Sequence, residues 1–363
     1  MLEVADILRL HGESFRKAHP GLPSDLERVL RNIEHCRTAY FGGHLTQCDH
    51  CGHQGYTYHS CGDRHCPKCN GAQTEQWLEK QRGRLIQCPY FFLTFTLPSQ
   101  LRDLAAAHPR EIYATLMSTA AASLQKLAND PQWVGATVAM LAVLHTWTRA
   151  LLFHPHVHLL VSGGGMSKEQ IWMPARHPAF LVPAFALSTI FRAKFKAALK
   201  RLKLLDQVPP SVWTKKWVVH CQHAGTGQKL LDYLGRYVFR VAINNSRLEK
   251  LEDGQVTFRY RDNQTQAIGH VTLTAQQFLE RFSRHILPKG FVKVRSYGLW
   301  NTRRRALLKK AQAWTQTPDR PTGTIQQDPD CCPNQQWAQH CPKCKEGRML
   351  FVRRIPPQRK RPP

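Results

Sequence analysis

Apolar residues recur at helical spacing twice near the start of the chain. In residues 4–15 and again in residues 25–37 they fall every three to four positions, as on a helix with one buried face. Pro20 and Pro23 lie between the two segments, and proline favours the end of one helix or the start of another. The pattern therefore predicts two short helices.

From residue 90 the pattern changes to strands that alternate with helices. Residues 90–97 are aromatic and β-branched and stop at Pro98, which is typical of a central strand. Helical spacing returns in residues 109–127, and residues 139–145 and 156–161 have the pattern of two neighbouring strands. A strand, a helix and two adjacent strands open a split β-α-β unit. We therefore expect an α+β fold class with a ferredoxin-like antiparallel sheet.

The remaining patterned segments continue this mixture of helices and strands. In order, they predict a lysine-rich helix (185–205), a strand (217–222), a helix (229–247), two strands (256–261 and 268–273) and a helix (275–284). The glycine run at 163–165 predicts a turn after the strand that precedes it. The basic, proline-rich residues 353–363 predict a disordered end.

The charge of the chain is strongly positive. Lys and Arg total 51 against 25 Asp and Glu, which gives a formal net charge of +26 at pH 7. This excess is larger than solubility requires and favours a polyanionic partner, with nucleic acid as the first candidate. No membrane partner is expected, because no run of about 18 apolar residues is present. The first residues lack the apolar stretch of a signal peptide, so we expect a cytoplasmic location.

Six cysteines are concentrated in a polar segment near the N-terminus. Two C-x-x-C pairs within it have the spacing of zinc ligands, Cys48 with Cys51 and Cys66 with Cys69. Two such pairs about fifteen residues apart predict one closed structural zinc site. Cys61 or Cys36 could replace one of these four thiols or help to hold a second ion.

A second group of cysteines lies near the C-terminus. Cys341 and Cys344 form a further C-x-x-C pair, and Cys331 and Cys332 precede it. One pair with two adjacent thiols is a less specific pattern than two pairs. With His340 as an additional donor, it is compatible with a second zinc site in this region.

Two histidines, His156 and His158, are carried by one predicted strand. Because side chains alternate along a strand, both leave it on one face, with Cα atoms about 6.5 Å apart at a rise of about 3.3 Å per residue. Two imidazoles at that separation can converge on one metal ion. A half-exposed strand that carries histidines without a ligand is the alternative interpretation, and the pair alone does not decide.

The helix predicted at 229–247 carries two tyrosines on one face. At 100° per residue, Tyr233 and Tyr237 fall together with Arg236 and Arg240, while apolar residues occupy another side. Two phenols are thus flanked by two guanidinium groups. Tyrosines one turn apart also pack at the margin of a core, which is the alternative interpretation.

Taken together, these features resemble the HUH superfamily of single-strand DNA endonucleases. More narrowly, the chain resembles the rolling-circle insertion-sequence transposases that carry two tyrosines. The resemblance covers nearly the whole chain and rests on several motifs in one order. They are the cysteine-rich N-terminus through Arg64-His-Cys-Pro-Lys-Cys69, Phe95-Thr-Leu-Pro98, Leu144-His-Thr146, His154-Pro-His-Val-His158, Tyr233-Leu-Gly-Arg-Tyr237 and Leu287-Pro-Lys-Gly-Phe291.

The resemblance implies a transposase that cuts and rejoins single-stranded DNA. It implies that Tyr233 and Tyr237 are catalytic and form 5′-phosphotyrosine intermediates, and that His156 and His158 hold a divalent ion, Mg²⁺ or Mn²⁺. Relaxases of this superfamily use three histidines, so His145 is expected as the third ligand. Three other residues stay open as alternatives for that position: His154, His220 and Gln222.

The resemblance also implies partners and a domain division. The partner is single-stranded DNA at transposon ends and target, with Arg236 and Arg240 as DNA-binding residues. No phosphate-binding loop of a helicase is present, so unwinding would come from a host helicase or the replication machinery of a prokaryotic cell, at the nucleoid. We expect a helical and zinc-binding domain (1–88), a catalytic domain (89–300) and a basic C-terminal region (301–363).

Other functions remain open at this point. A non-catalytic, zinc-containing DNA-binding regulator would need only the basic charge and the cysteines. A metal phosphodiesterase that uses water would leave the tyrosines structural, and a plasmid relaxase or replication initiator would share the tyrosine chemistry. A transposase built on three carboxylates is disfavoured, because acidic residues are sparse.

Overall fold

A computed structural model of the protein describes residues 1–69, 71–225, 235, 238, 240–262, 265–316 and 340–358. Its α-helices are α1 (Val4–Ala18), α2 (Ser24–Glu34), α3 (Gly71–Arg82), α4 (Arg102–Ala107), α5 (Pro109–Ala128), α6 (Ala184–Arg201), α7 (Ala275–Ser283) and α8 (Arg305–Thr315). Its strands are β1 (Gly43–Cys48), β2 (Gln54–Tyr58), β3 (Tyr90–Thr96), β4 (Thr137–Trp147), β5 (Phe153–Met166), β6 (Trp172–Pro174), β7 (Val219–Gly225), β8 (Leu248–Glu252), β9 (Gln255–Arg261), β10 (Ile268–Thr274), β11 (Val294–Gly298) and β12 (Met349–Ile355).

The central sheet has the predicted ferredoxin-like topology. Its strand order is β11-β4-β5-β3-β7, every pairing is antiparallel, and β6 adds to β5. Within it, β3, α5, β4, β5, α6 and β7 form a β-α-β-β-α-β unit whose strands lie side by side in the order β4-β5-β3-β7. The α+β fold class is confirmed. The edge strand β11 was not predicted, because its residues are all half-buried and show no alternation.

The two faces of the central sheet have different coverings. On one face, Phe91, Leu93 and Phe95 of β3 are buried in a core with α5 and α6. On the other face, described residues of α3 and α8 pack with Trp300 near Leu160, at one end of the sheet. The rest of that second face, toward the C-terminal end of β4 and the first half of β5, is left as the floor of a cavity.

The expectation of a turn at Gly163, Gly164 and Gly165 is wrong, because β5 continues through all three to Met166. Backbone atoms of neighbouring segments lie too close to these glycines for any side chain to fit. A Cβ atom on Gly165 would lie 2.3 Å from the carbonyl oxygen of Thr137, and one on Gly163 would lie 2.8 Å from that of Pro89. The glycines therefore allow close backbone approach within the sheet, which is the other common role of glycine in strands.

A second sheet, ordered β10-β9-β8, forms a core with the N-terminal helices. Ile7 and Phe15 of α1 and Ile33 of α2 are buried in the same cluster as Phe258 of β9 and Phe278 of α7. The two predicted N-terminal helices are confirmed as elements. Their core, however, crosses the boundary expected at residue 88, and the three-way division of the chain stays a prediction.

A third sheet, ordered β12-β1-β2, joins the two ends of the chain. Strand β12 pairs antiparallel with β1, Cys48 lying opposite Met349. Arg353, Arg354 and Ile355 belong to this strand, so the expectation that disorder begins at residue 353 is corrected for them. The expectation rested on local composition, whereas pairing with a distant strand fixes this segment. None of the helices in the described ranges combines the length and the apolar character needed to cross a bilayer.

Candidate functional site

Three histidines converge on the second face of the central sheet, opposite to α5 and α6. His145 of β4 lies directly opposite His156 of β5, and His158 lies opposite Val143 two pairs further along. The period of two along each strand puts all three rings on the face away from α5 and α6. One ring nitrogen of each histidine lies within 4.8 Å of one ring nitrogen of the other two. The structure thus brings the three predicted ligands together.

Hydrogen bonds orient two of these rings. The Nδ1 atom of His158 lies 3.0 Å from Thr94 Oγ1, and the Nδ1 atom of His156 lies 2.7 Å from the carbonyl oxygen of His154. When each Nδ1 carries the proton and donates it to that oxygen, each Nε2 is the unprotonated nitrogen that can coordinate a metal. Fixing the outer nitrogen in this way is the usual support of a metal-binding histidine.

Aromatic packing and burial keep the histidine rings in place and uncharged. His145 is stacked on Trp147 with ring centroids 4.7 Å apart, and His158 is stacked on Phe92 at 5.0 Å. Burial lowers the pKa of His156 to about 4 and that of His158 well below the usual value. Both imidazoles are therefore neutral near pH 7, the form that binds a metal.

The donor set fits a divalent metal ion. Three imidazoles on one side of an ion would leave its other coordination positions for water or substrate oxygen, as in catalytic metal sites. Imidazole is a softer donor than the carboxylates that usually hold Mg²⁺, and it is equally compatible with transition metals.

A cavity of about 440 Å³ opens above the histidines. Its walls include Arg149, Arg240 and the indole of Trp147, and none of its described lining residues is acidic. A cavity with cationic walls and no carboxylate attracts phosphate groups. Arg240, one of the two predicted DNA-binding residues, is therefore placed at the candidate site.

The three alternative ligands lie at the edge of the same cavity. His220 and Gln222 belong to β7, opposite Thr94 and Phe92, so β3 separates them from the strands that carry the cluster. The Nδ1 atom of His154 lies 3.0 Å from a guanidinium nitrogen of Arg102. All three line the cavity, but His145 is the residue that completes the close group.

The predicted catalytic tyrosines, Tyr233 and Tyr237, and the predicted DNA-binding Arg236 lie outside the described residues. Two neighbours are described: Gly235 and Val238 are both buried. A Cβ atom on Gly235 would lie 2.7 Å from Cδ1 of Leu78, so glycine here permits close contact with α3.

The described cysteines include two clusters of four thiols, each with its sulfur atoms within 4.8 Å of one another. The first contains Cys36, Cys61, Cys66 and Cys69, and the second contains Cys48, Cys51, Cys341 and Cys344. The expectation that the two N-terminal C-x-x-C pairs share one ion is therefore corrected. Each pair instead meets a different set of partners, because β1 and β2 carry the first pair away from the end of α2, where the second pair meets Cys36.

The first thiol cluster is connected to the central domain by two neighbouring residues. The guanidinium of Arg64 donates to the carbonyl oxygens of Phe291 and Pro288, the latter at 3.1 Å. Nε2 of His65 accepts a hydrogen bond from the backbone N–H of Leu287 at 3.1 Å. The N-terminal Arg64-His65 pair thus holds the loop that begins at Leu287.

That loop leads into Lys293, a residue that the sequence did not single out. Its ammonium group donates to the carbonyl oxygen of Arg240 at 2.8 Å and lies 5.2 Å from the ring centroid of Trp147. Burial lowers the pKa of Lys293 to about 7. Lys293 and Arg64 also line a second, largely apolar cavity of about 420 Å³. In the sequence, the nearest recognised motif is Leu287-Pro-Lys-Gly-Phe291, which ends two residues before Lys293.

The lysine-rich helix predicted at 185–205 lies elsewhere. As α6 it packs with Phe191 and Phe195 on the core face of the sheet, opposite to the histidines. Its Lys196 is directed to the ring of Trp213, 5.5 Å from the centroid. The structure therefore does not bring this basic surface to the candidate site.

Comparisons with known proteins agree with this architecture. A family model described as "Transposase zinc-binding domain" matches residues 7–97, and one described as "Putative transposase" matches residues 139–307. The chain is 36% identical over 384 residues to "Putative transposase y4qJ" of Sinorhizobium fredii. The match covers 96% of this chain and 94% of that protein. It is 32% identical over 293 residues to "Transposase for insertion sequence element IS801" of Pseudomonas savastanoi pv. phaseolicola, with 76% and 70% of the two chains covered. The chain belongs to the IS91/IS801 family of transposases.

The matched segments cover the candidate site of this transposase unequally. All three clustered histidines and Arg240 lie within residues 139–307, and the four thiols of the first cluster lie within residues 7–97. Cys341 and Cys344 of the second cluster lie outside both segments. No solved structure matches the transposase.

Proposed function

We propose that this transposase cuts and rejoins single-stranded DNA through a covalent phosphotyrosine, with a divalent ion at His145, His156 and His158. The observation that carries the proposal is the convergence of three imidazoles at the floor of a cavity with cationic walls. A regulator that only binds DNA has no need of such a group, because its affinity comes from contacts to many phosphates.

The cavity supplies the binding part of the reaction. Arg149 and Arg240 line it and would contact the phosphates on either side of the scissile bond. His154 lines the cavity at the start of β5, and Arg102 contacts its ring from behind. Two largely buried aromatic side chains, Trp147 and Phe92, complete its walls and pack against the histidines.

The metal site supports the chemical step. Mg²⁺ or Mn²⁺ held by the three imidazoles would draw negative charge from a non-bridging oxygen of the scissile phosphate and make its phosphorus easier to attack. The protein's contribution is to hold the three rings at fixed orientation through Thr94, the His154 carbonyl and the stacked Trp147.

A tyrosine hydroxyl is the proposed nucleophile. Its oxygen forms a bond to phosphorus while the bond from phosphorus to the 3′-oxygen breaks, the hydroxyl proton is released, and the 3′-oxygen takes up a proton. The products are a 5′-phosphotyrosine and a free 3′-OH. Because the covalent bond conserves the energy of the phosphodiester, a 3′-OH can later reverse the step and join strands.

The assignment of this role to Tyr233 and Tyr237 rests on the sequence and on two described neighbours. The sequence pattern predicts the tyrosines on the side of Arg240 and away from the apolar side that includes Val238. The helix predicted at 229–247 is corrected at its C-terminal end, because residues 240–244 are not helical. Arg240 lines the histidine cavity and, with Val238, the apolar cavity next to it. Its place at the histidine cavity supports the predicted polar face. A second tyrosine would hold one cleaved end while the other cuts again.

A structural zinc ion at Cys36, Cys61, Cys66 and Cys69 is part of the same proposal. Cys36 and Cys66 are fully buried, and the sulfur atoms of Cys36 and Cys69 are 3.4 Å apart. Four thiols in so compact a group fit the tetrahedral geometry that zinc prefers. The ion would stabilise the segment that carries Arg64 and His65, and through it the loop before Lys293.

The proposed function is tested by the product it leaves on the protein. A single strand from a transposon end, labelled at its 3′ end, is incubated with the transposase and Mn²⁺ and then denatured. We expect labelled protein, loss of that label when the metal is chelated, and an upstream fragment that a polymerase can extend. Strand cleavage without labelled protein would indicate attack by water, and binding without cleavage would indicate a regulator.

Replacing Thr94 by valine tests the orientation of His158. The change keeps the shape of the side chain but removes the acceptor for the Nδ1 proton, so we expect metal affinity or nicking to fall by about 10-fold to 100-fold. The measurement is the Mn²⁺ concentration that gives half of the maximal nicking rate. Thr96→Val is the matched control, since the histidine opposite Thr96, His156, bonds to a backbone carbonyl instead. An unchanged metal requirement in Thr94→Val would remove this bond from the mechanism.

A further inference from the structure

The second thiol cluster points to a metal site that joins the two ends of the chain. We propose that Cys48, Cys51, Cys341 and Cys344 bind a second structural zinc ion, in which each end of the chain supplies one C-x-x-C pair. This ion makes residues 340–358 a part of the N-terminal zinc-binding unit and not a separate tail. The proposal concerns folding and is independent of the chemistry at the histidines.

The sulfur positions fit one tetrahedral ion. Sγ of Cys48 lies 3.7 Å from Sγ of Cys344, and Sγ of Cys51 lies 3.6 Å from Sγ of Cys341. Tetrahedral coordination with zinc–sulfur bonds of about 2.3 Å separates the sulfur atoms by about 3.8 Å. Both of the close contacts run from one pair to the other, which fits one ion shared by the two pairs better than one ion in each.

The two pairs also share a backbone conformation. The N–H of Gly52 donates to the carbonyl oxygen of Cys48 at 3.1 Å, and the N–H of Lys345 donates to that of Cys341 at 2.9 Å. Each donor is four residues after the first cysteine, and each has a positive φ, 70° and 63° respectively. Such a turn is strained for lysine, so the surrounding structure must favour it.

Backbone N–H groups are directed to the sulfur atoms in each pair. Cys51 donates its N–H to Sγ of Cys48, and Gly347 donates its N–H to Sγ of Cys344, both at 3.4 Å. Hydrogen bonds of this kind stabilise a thiolate, which is the form of cysteine that binds zinc. A pair of turns built in the same way around four thiols is therefore organised for a metal and not for packing alone.

The turns fit against one another without space for a larger residue. A Cβ atom on Gly347 would lie 2.4 Å from Sγ of Cys48 and 2.7 Å from Oδ1 of Asp49. The backbone of Asp49 and that of Arg348 are joined by a hydrogen bond at 3.1 Å, and the Asp49 carboxylate accepts the N–H of Arg348 at 2.8 Å. These contacts put Cys341 and Cys344 in a fixed position over the first pair.

Too little apolar surface is buried around β12 for packing alone to hold this strand in place. The buried apolar cluster around the second group of thiols contains only Cys48, Cys341 and Met349 among the described residues, and two of these are thiols. On β12 itself, Leu350 and Phe351 are 51% and 60% exposed. Small units with so little core depend on a metal or on disulfides for stability. None of the described cysteines forms a disulfide.

Metal content of the purified full-length transposase tests the proposal. We expect two zinc ions per chain, one after Cys344→Ser, one after Cys66→Ser, and two after Cys88→Ser, since Cys88 belongs to neither cluster. Limited proteolysis adds a readout of folding. In Cys344→Ser, cleavage is expected within residues 340–358 and the central domain is expected to stay intact.

A glycine variant tests the geometry without removing a ligand. Gly347→Ala keeps all four thiols but moves a carbon into the position next to Cys48 Sγ, so a chelator should remove one of the two zinc ions at least about tenfold faster. Gly21→Ala is the matched control, because a Cβ atom there meets nothing within 4 Å. This variant remains informative if a cysteine variant fails to fold.

Several outcomes would overturn the proposal. Two zinc ions in Cys344→Ser would mean that residue is not a ligand, and one zinc ion in the parent that Cys66→Ser removes would mean that the second cluster binds none. Disulfides between the pairs, detected as thiols that stay unreactive after denaturation, would replace the ion with a covalent link. All of these results are independent of whether the transposase forms a phosphotyrosine.

Discussion

Replacing His158 by alanine is expected to lower the rate of DNA nicking by more than about 100-fold while binding of single-stranded DNA changes by less than about threefold. The two quantities separate because affinity is distributed over contacts between many phosphates and basic residues, whereas the ion acts on one phosphate. The measurements are the nicking rate with Mn²⁺ and the dissociation constant of an uncut strand at fixed salt concentration. His156→Ala and His145→Ala should have the same effect.

Controls on neighbouring histidines make this prediction specific. His223 of β7 contacts Phe91 on the opposite face of the same sheet, so His223→Ala should nick normally. His154→Ala and His220→Ala decide the identity of the third ligand, since either would become as inactive as His158→Ala if it held the ion in place of His145. Normal nicking by His158→Ala in the presence of a chelator would contradict the metal assignment.

The central sheet could be predicted because its signals are local. Alternation places the histidines of β5 on one face whatever the rest of the chain does, and the apolar run before His145 is long enough to be recognised as the strand beside it. Convergence of the three rings then follows from register. Here His145 lies opposite His156, a pairing that no single segment specifies.

The glycine run of β5 is compatible with two local structures. A run of glycine usually marks a turn, but it also permits close approach of neighbouring chain, and only the tertiary partner distinguishes the two. Gly165 lies in a strand because Thr137 approaches it, and Thr137 is 28 residues away in sequence. The same reasoning applies to β11 and Lys293, whose positions depend on pairing with β4.

The cysteines illustrate a similar limit. The C-x-x-C spacing predicts which thiols bind as a pair, since two residues allow both sulfur atoms to reach one ion. It does not predict which pairs share an ion. Cys48 and Cys341 are brought together by the pairing of β1 with β12, and Cys36 meets Cys66 because α2 ends beside it. No local sequence pattern predicts either of these two contacts between cysteines.

The largest expected effect on transposition comes from the two tyrosines. The double variant Tyr233→Phe with Tyr237→Phe should form no covalent protein–DNA adduct, because no hydroxyl remains to attack phosphorus. Loss of a hydroxyl costs only about 1 kcal/mol of folding stability when it makes an ordinary hydrogen bond, so a complete loss of adduct reports chemistry. Tyr113→Phe is a matched control, since Tyr113 is buried against Phe291 on the other face of the sheet. It should form the adduct at the parental rate.

The single variants distinguish the roles of the two tyrosines. Helical spacing predicts their Cβ atoms about 5–6 Å apart, near enough for either hydroxyl to reach the same phosphate after a small shift of the DNA. If both act, each single variant keeps some adduct but transposition falls in each, because two covalent ends must be held during strand transfer. If one only packs in the core, its phenylalanine variant should nick and transpose like the parent. A double variant that still forms the adduct would exclude this pair as nucleophiles, and the ion at the histidines would then have to activate a different oxygen, with water as the first candidate.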